Sequence, residues 1–123
     1  MDNSLSLTII GTVLTLIGVV FIAIPKVVNE KVISDLPFEA VDTAAFFRAV
    51  NGALGLALGM VAIYCRNLPL EYSKTVLLSL GTGFFIFLIA LGSCKIRGFG
   101  DIPIPPMVIF TILTILAYYS ALF

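Results

Sequence analysis

Arg48 is the residue from which chemistry could start. It is the one charge that a helical reading places inside an apolar segment. A guanidinium stays protonated and presents its donors in a planar fork, so it suits a carboxylate, a phosphate or another small anion. Carboxylates are within reach along the chain. Asp42 precedes Arg48 by about 1.5 helical turns, roughly 9 Å along the axis. Glu39 lies just before it, and Asp101 sits in a later connection. Asn51 follows one turn after Arg48, on a neighbouring face. Two arrangements are open. In the first, Arg48 pairs with Asp42, Glu39 or Asp101 and ties two connections together. In the second, it binds a lipid headgroup or small anionic molecule in a cavity around itself. An enzyme would need Glu39, Asp42 and Asp101 gathered as acid and base. No spacing demands that, and solvated loop carboxylates are the ordinary explanation.

Other chemistries lack their residue types. The chain has no His and two Cys, which removes the common zinc sites, the Ser-His and Cys-His nucleophile pairs and histidine haem ligation. No cofactor, no metal and no catalytic residue is expected. Net charge is zero and no basic run exists, so no nucleic-acid partner is expected either.

The elements that position Arg48 follow from where charges are missing. Four uninterrupted runs carry none: residues 3–25, 49–65, 75–94 and 102–123, of 23, 17, 20 and 22 residues. A helix crossing the hydrocarbon layer of roughly 30 Å needs about 20 apolar residues. With 60% hydrophobic residues overall, the chain reads as an integral membrane protein. The expected fold is all-α: an antiparallel up-down bundle of four transmembrane helices in one domain over residues 1–123, with spans at about 5–24, 43–65, 74–94 and 105–123. The first span is read as a retained helix, because its apolar run is too long for a signal peptide and its leader carries Asp2 rather than a basic residue.

The connections add detail. Pro25 and Lys26 should end span one. Val28, Val32 and Leu36 recur every four residues after it, which suits a short helix lying in the interface, with an irregular loop as the alternative. Asp42 stands where an N-cap of span two belongs. The second connection, residues 66–73, contains Pro69, and the third holds Gly98 and Gly100, which permit tight bends. Pro105 or Pro106 suits the first turn of span four, and Tyr118 and Tyr119 suit an interfacial belt. Cys65 and Cys94 close consecutive spans and so belong to opposite faces. A disulfide needs Cα atoms within roughly 7 Å, so none is expected between them. Lys26, Lys31, Lys95 and Arg97, with Arg48 nearby, outnumber Arg66 and Lys74 across the membrane. That excess favours a cytoplasmic side for connections one and three, with both termini outside the cytoplasm.

Helices in lipid associate by close contact, so small residues at helical spacing mark the expected seams. Span two has Ala45, Arg48, Gly52, Gly55, Gly59 and Ala62 on one face. Span one offers Thr8, Gly11, Thr15 and Gly18; span three, Gly81, Phe85, Leu88 and Gly92; span four, Thr111, Thr114, Tyr118 and Ala121. Packing within the chain explains these stripes, and a homo-oligomer through Gly55 and Gly59 is the sharper alternative.

The segment Phe47-Arg48-Ala49-Val50-Asn51-Gly52-Ala53-Leu54-Gly55-Leu56 resembles the motif of the domain of unknown function 4345 family, small bacterial membrane proteins. The likeness extends to length, to four spans and to the turn over residues 98–103. Asn51 stands where a Gly is usual in that family, and Cys94-Lys95 where Gly-Arg is expected. The resemblance implies a bacterial inner-membrane location and makes Arg48, Gly52 and Asp101 the positions to test first. It implies no activity.

Taken together, the expected function is a non-catalytic scaffold or subunit of a membrane assembly, with the bilayer and a membrane-protein partner or second copy around it. The alternative is a binder or carrier of a lipid or small anionic molecule at Arg48. Small multidrug transporters resemble the chain in size alone. They need an embedded carboxylate in span one, and none follows Asp2 before Pro25.

Overall fold

The structure is a computed structural model that describes residues 2–33, 35–100 and 103–123. Five helices and one 3₁₀ turn make up the ordered elements, and the described residues contain no strand. Helix α1 runs Asn3–Ala23, α2 Pro25–Val32, α3 Val41–Tyr64, α4 Leu70–Ile96 and α5 Ile104–Leu122, with the 3₁₀ turn Phe38–Ala40 leading directly into α3. Four of them, α1, α3, α4 and α5, are long and apolar enough to cross a membrane. At 1.5 Å per residue they measure roughly 28–40 Å against a hydrocarbon layer of about 30 Å. The chain is therefore an all-α, multi-pass membrane protein, and the exposed Leu, Ile, Val and Phe side chains along these four helices suit contact with lipid.

Several boundaries differ from the sequence reading, each for a local reason. Pro25 does close the first span, but it also opens α2. Ile24 leaves helical geometry (φ −135°, ψ 57°), and Pro25 then occupies a first-turn position whose missing N–H has no partner to lose. The short connection helix ends at Val32, so Leu36 lies outside it. Ile33 is extended, and its N–H closes the last turn on the Asn29 carbonyl. Asp42 is not the N-cap of α3. The 3₁₀ turn continues into the helix, which puts Asp42 inside the first turn. Helix α4 begins four residues before the expected span, because Pro69 ends the loop rather than lying in its middle, and Ser73 is thereby helical. The glycine turn after α4 matches its reading: Gly98 and Gly100 adopt φ 78° and 147°, which side-chain-bearing residues avoid.

The chain divides into two compact units. The first comprises residues 9–64. In it α1 and α3 run antiparallel with their glycines in register: an added Cβ on Gly18 would lie 2.6 Å from the Gly52 carbonyl oxygen, and one on Gly59 would lie 2.9 Å from that of Gly11. Gly55 is looser, 3.8 Å from the Leu14 carbonyl oxygen. Such approach is open only to residues without side chains, and it gives backbone atoms the dense contact that replaces hydrophobic drive in lipid.

The second unit comprises the first eight residues and residues 65–123. Here α4 and α5 form an antiparallel hairpin. The Phe110 ring sits 5.6 Å from that of Phe84 and 4.5 Å from that of Phe87. The buried face of α4 is Ser73, Leu77, Leu80, Gly81 and Phe84. The expected stripe through Phe85 and Gly92 is displaced, since Phe85 is exposed and Gly92 meets open space. In α5, Thr114 and Ala121 are buried as read, whereas Thr111 is exposed and Leu113, Ala117 and Ser120 complete the face. An all-apolar helix shows no polar contrast from which its inner face can be read.

Candidate functional site

The glycine register of the residue 9–64 unit sets up the surroundings of Arg48. Because Gly52 has no side chain, Phe21 of α1 can lie directly against α3; a Cβ at Gly52 would be 2.6 Å from the Phe21 Cβ. Arg48 is one turn before Gly52. Its guanidinium carbon comes to rest 5.1 Å from the centre of the Phe21 ring, a cation–π geometry. The other partner comes from α2. The turn at Ile24 brings α2 back over the start of α3, and there Arg48 Nε donates to Asn29 Oδ1 at 2.8 Å. Asn29 is 2% exposed, the one buried residue of a helix whose other residues are half-buried or exposed. Its Nδ2 finds no acceptor among the described residues. A second tie joins the same two helices: Lys26 Nζ lies 3.0 Å from Asp42 Oδ1, at the surface.

The sequence-read candidates fall out differently. Neither Asp42 nor Glu39 pairs with Arg48: Asp42 belongs to Lys26, and Glu39 is exposed. The ion pair expected at Arg48 is thus replaced, among those two carboxylates, by a neutral amide and an aromatic face. Asn51 is exposed and takes no part. Asp101 lies outside the described residues. Gly11, Gly18, Gly52 and Gly59 are buried in the α1–α3 contact, and Gly55 is half-buried beside them.

Sequence reasoning missed Asn29 and Phe21. A single polar residue in a polar connection carries no contrast, and a Phe in an apolar span carries none either. One signal was available: on α2, Asn29 lies between Val28 and Val32, on the side that the apolar spacing turns inward.

Alongside Arg48, a cleft of about 330 Å³ opens between α2 and the start of α3. Asn29 lines it, with Lys26, Glu30 and Asp35 contributing charge and Val41 an apolar wall. Arg48 is not part of its lining. Among the described residues no group of three or more His, Cys, Asp or Glu is placed to hold a metal ion.

The other unit carries polar contacts of its own. Asn3 Nδ2 donates to Ser73 Oγ at 3.0 Å, and Ser73 Oγ donates on to the Leu70 carbonyl at 3.1 Å. The Ser6 and Ser120 hydroxyls bond to each other, buried, and the Thr82 and Tyr118 hydroxyls meet at 2.7 Å. The Asn3–Ser73, Ser6–Ser120 and Thr82–Tyr118 contacts each join two helices, as polar side chains of membrane helices tend to do.

No protein family, curated protein or solved structure matches the chain.

Proposed function

We propose that the protein is a non-catalytic subunit or scaffold of an assembly in the bacterial inner membrane, related to the domain of unknown function 4345 family, with the connection before α3 and the α4–α5 turn on the cytoplasmic side. The observation that carries the proposal is the setting of Arg48. Arg48, within α3, donates to Asn29 of α2 and lies over the Phe21 ring of α1. It ties together the three helices that meet there, a positioning role rather than a reactive one. An Arg is expensive at the bilayer centre, about 2.5 kcal/mol or more on insertion scales. A neutral amide and a ring face near the helix start reduce that burden while fixing the angle at which α2 leaves the membrane.

Purification in mild detergent tests the proposal. A second membrane protein at fixed stoichiometry is expected, retained when the tag is moved to that partner. A lone monodisperse species in several mild detergents, with no partner captured by cross-linking in native membranes, overturns it.

The binder reading has its own support: among the described residues the guanidinium has no carboxylate partner, and its terminal nitrogens have no hydrogen-bond partner. Native mass spectrometry from phosphatidylglycerol nanodiscs separates the two. Equal lipid adducts on wild type and Arg48→Ala leave the subunit reading standing; loss of adducts in the variant favours an anion at Arg48.

A further inference from the structure

We infer that the cleft between α2 and the start of α3 is a binding site for the headgroup of a zwitterionic phospholipid bearing a primary ammonium, such as phosphatidylethanolamine. The inference is independent of the subunit reading, since it requires only that the chain resides in a bilayer.

The cleft is placed where headgroups are. Helix α1 ends at Ala23 and α3 starts at Val41, so α2 and the 3₁₀ turn Phe38–Ala40 lie at the end of two spans, in the interfacial layer. Helix α2, with eight residues, is too short to cross. At about 330 Å³ the cleft is at the low end of small-molecule sites, which run roughly 300–1,000 Å³.

Its charges choose the ligand. Two carboxylates, Glu30 and Asp35, line it, and neither has an ion-pair partner among the described residues. One cation, Lys26, lines it too, already bonded to Asp42 on one side. An ammonium has three donors, and an exposed pair of this kind holds its partners weakly. Lys26 can therefore share itself with a phosphate oxygen. A purely anionic headgroup would meet more negative than positive charge. A headgroup that joins a phosphate to a primary ammonium offers Lys26 an anion and Glu30 and Asp35 a hydrogen-bonding cation at once. A quaternary ammonium could not donate to those carboxylates. Asn29, buried and lining the cleft, holds an amide nitrogen without an acceptor among the described residues, and Ile33, Leu36 and Val41 supply apolar surface for the glycerol end.

The test is native mass spectrometry of the protein released from nanodiscs of equimolar dioleoyl phosphatidylethanolamine, phosphatidylglycerol and phosphatidylcholine. The wild type should retain phosphatidylethanolamine roughly threefold or more over each of the others, the scale of one or two exposed ion pairs. The double variant Glu30→Gln with Asp35→Asn should lose that preference. Both positions are exposed, and Asn suits the positive φ of 58° at Asp35, so the variant keeps its fold; far-UV circular dichroism verifies this. Lys26→Gln alone should lower retention of both phosphatidylethanolamine and phosphatidylglycerol. Equal retention of the three lipids overturns the inference. So does a preference for phosphatidylglycerol, or a phosphatidylethanolamine preference that survives in the double variant.

Discussion

Where α1 meets α3, glycines let backbone touch backbone; where α4 meets α5, three phenylalanine rings and a pair of hydroxyls fill the space between helices. Both contacts must hold without hydrophobic drive, because lipid tails are as apolar as the side chains. The glycine contact gains its density by subtraction, so added volume should break it. The ring contact gains density by filling, so removed volume should break it. The polar group that accompanies each also differs. Beside the glycines it is a charge that needs a partner; between the helices that carry the rings it is the Thr82–Tyr118 hydroxyl pair. Equilibrium unfolding in mixed micelles of mild detergent and dodecyl sulfate, followed by circular dichroism, measures each effect on one scale.

The largest loss should follow Gly52→Ala. The new methyl would meet the Gly18 carbonyl oxygen at 2.8 Å and the Phe21 Cβ at 2.6 Å. A backbone neighbour cannot swing away, so the upper end of the overpacking range, about 3 kcal/mol, applies. A loss under about 0.5 kcal/mol, within the range of an ordinary surface substitution, would mean that the backbones are not in contact there. Phe84→Ala makes the reciprocal test. Phe84 is 3% exposed, and Phe→Ala in water-soluble cores costs about 3–5 kcal/mol. Without hydrophobic drive between helices the expected loss falls to about 2 kcal/mol. If Phe84→Ala proves neutral, the ring contact contributes nothing and the contrast between the two regions disappears.

Next comes the charge. Asn29→Leu removes the acceptor of Arg48 Nε and should destabilise by about 1.5 kcal/mol, the low end for a bond to a charged group, given the remaining Phe21 contact and a partly wet site. Adding Arg48→Met to Asn29→Leu should recover part of that loss, because the stranded partner is then gone. A simple sum of two losses would show that the two side chains are not coupled. Ser120→Ala should be milder. It cuts a buried hydroxyl pair with Ser6, and interhelical hydrogen bonds in membranes average about 0.6 kcal/mol.

These expectations also mark how far the amino-acid sequence could be read. The spans were legible because charge is excluded from lipid at high energy, a signal that no packing detail can mask. The packing faces of α1 and α3 were legible because glycine size contrasts with every neighbour, and Gly11, Gly18, Gly52 and Gly59 keep helical spacing, whereas the pairing of these two helices comes from the coordinates. The α4 inner face was not. Leu77, Leu80 and Phe84 look the same in sequence as the lipid-facing Phe85 and Ile89, and only coordinates tell them apart. Arg48 was legible as the exceptional charge, but its partner was not. Strength of attraction pointed to the carboxylates of Glu39, Asp42 and Asp101; of these Asp101 lies outside the described residues, and in place of the other two the turn at Ile24 and Pro25 delivers an amide. Partner choice here is decided by chain geometry, and charge alone does not report it.

The smallest effect gives the finest test of the comparison, because it applies one chemical change to glycines in different settings. Gly81 lies on the buried face of α4. A Cβ there would sit 3.3 Å from the Ala117 Cβ and 3.2 Å from the Tyr118 ring, contacts with side-chain atoms that a few tenths of an ångström would relieve. Gly83, two residues on, meets nothing within 4 Å. Alanine favours helix over glycine by about 1 kcal/mol in water, and less is expected where lipid already enforces the helix. Gly83→Ala should therefore be neutral to stabilising by a few tenths of a kcal/mol, and Gly81→Ala should lose about 0.5 kcal/mol once strain offsets propensity. The order Gly83, Gly81, Gly52, from gain to large loss, follows from one quantity, the distance and nature of what the new methyl would touch. If Gly81→Ala were as damaging as Gly52→Ala, the α4–α5 contact would also be limited by backbone approach, and the division between a glycine-lined and a ring-filled contact would have to be abandoned.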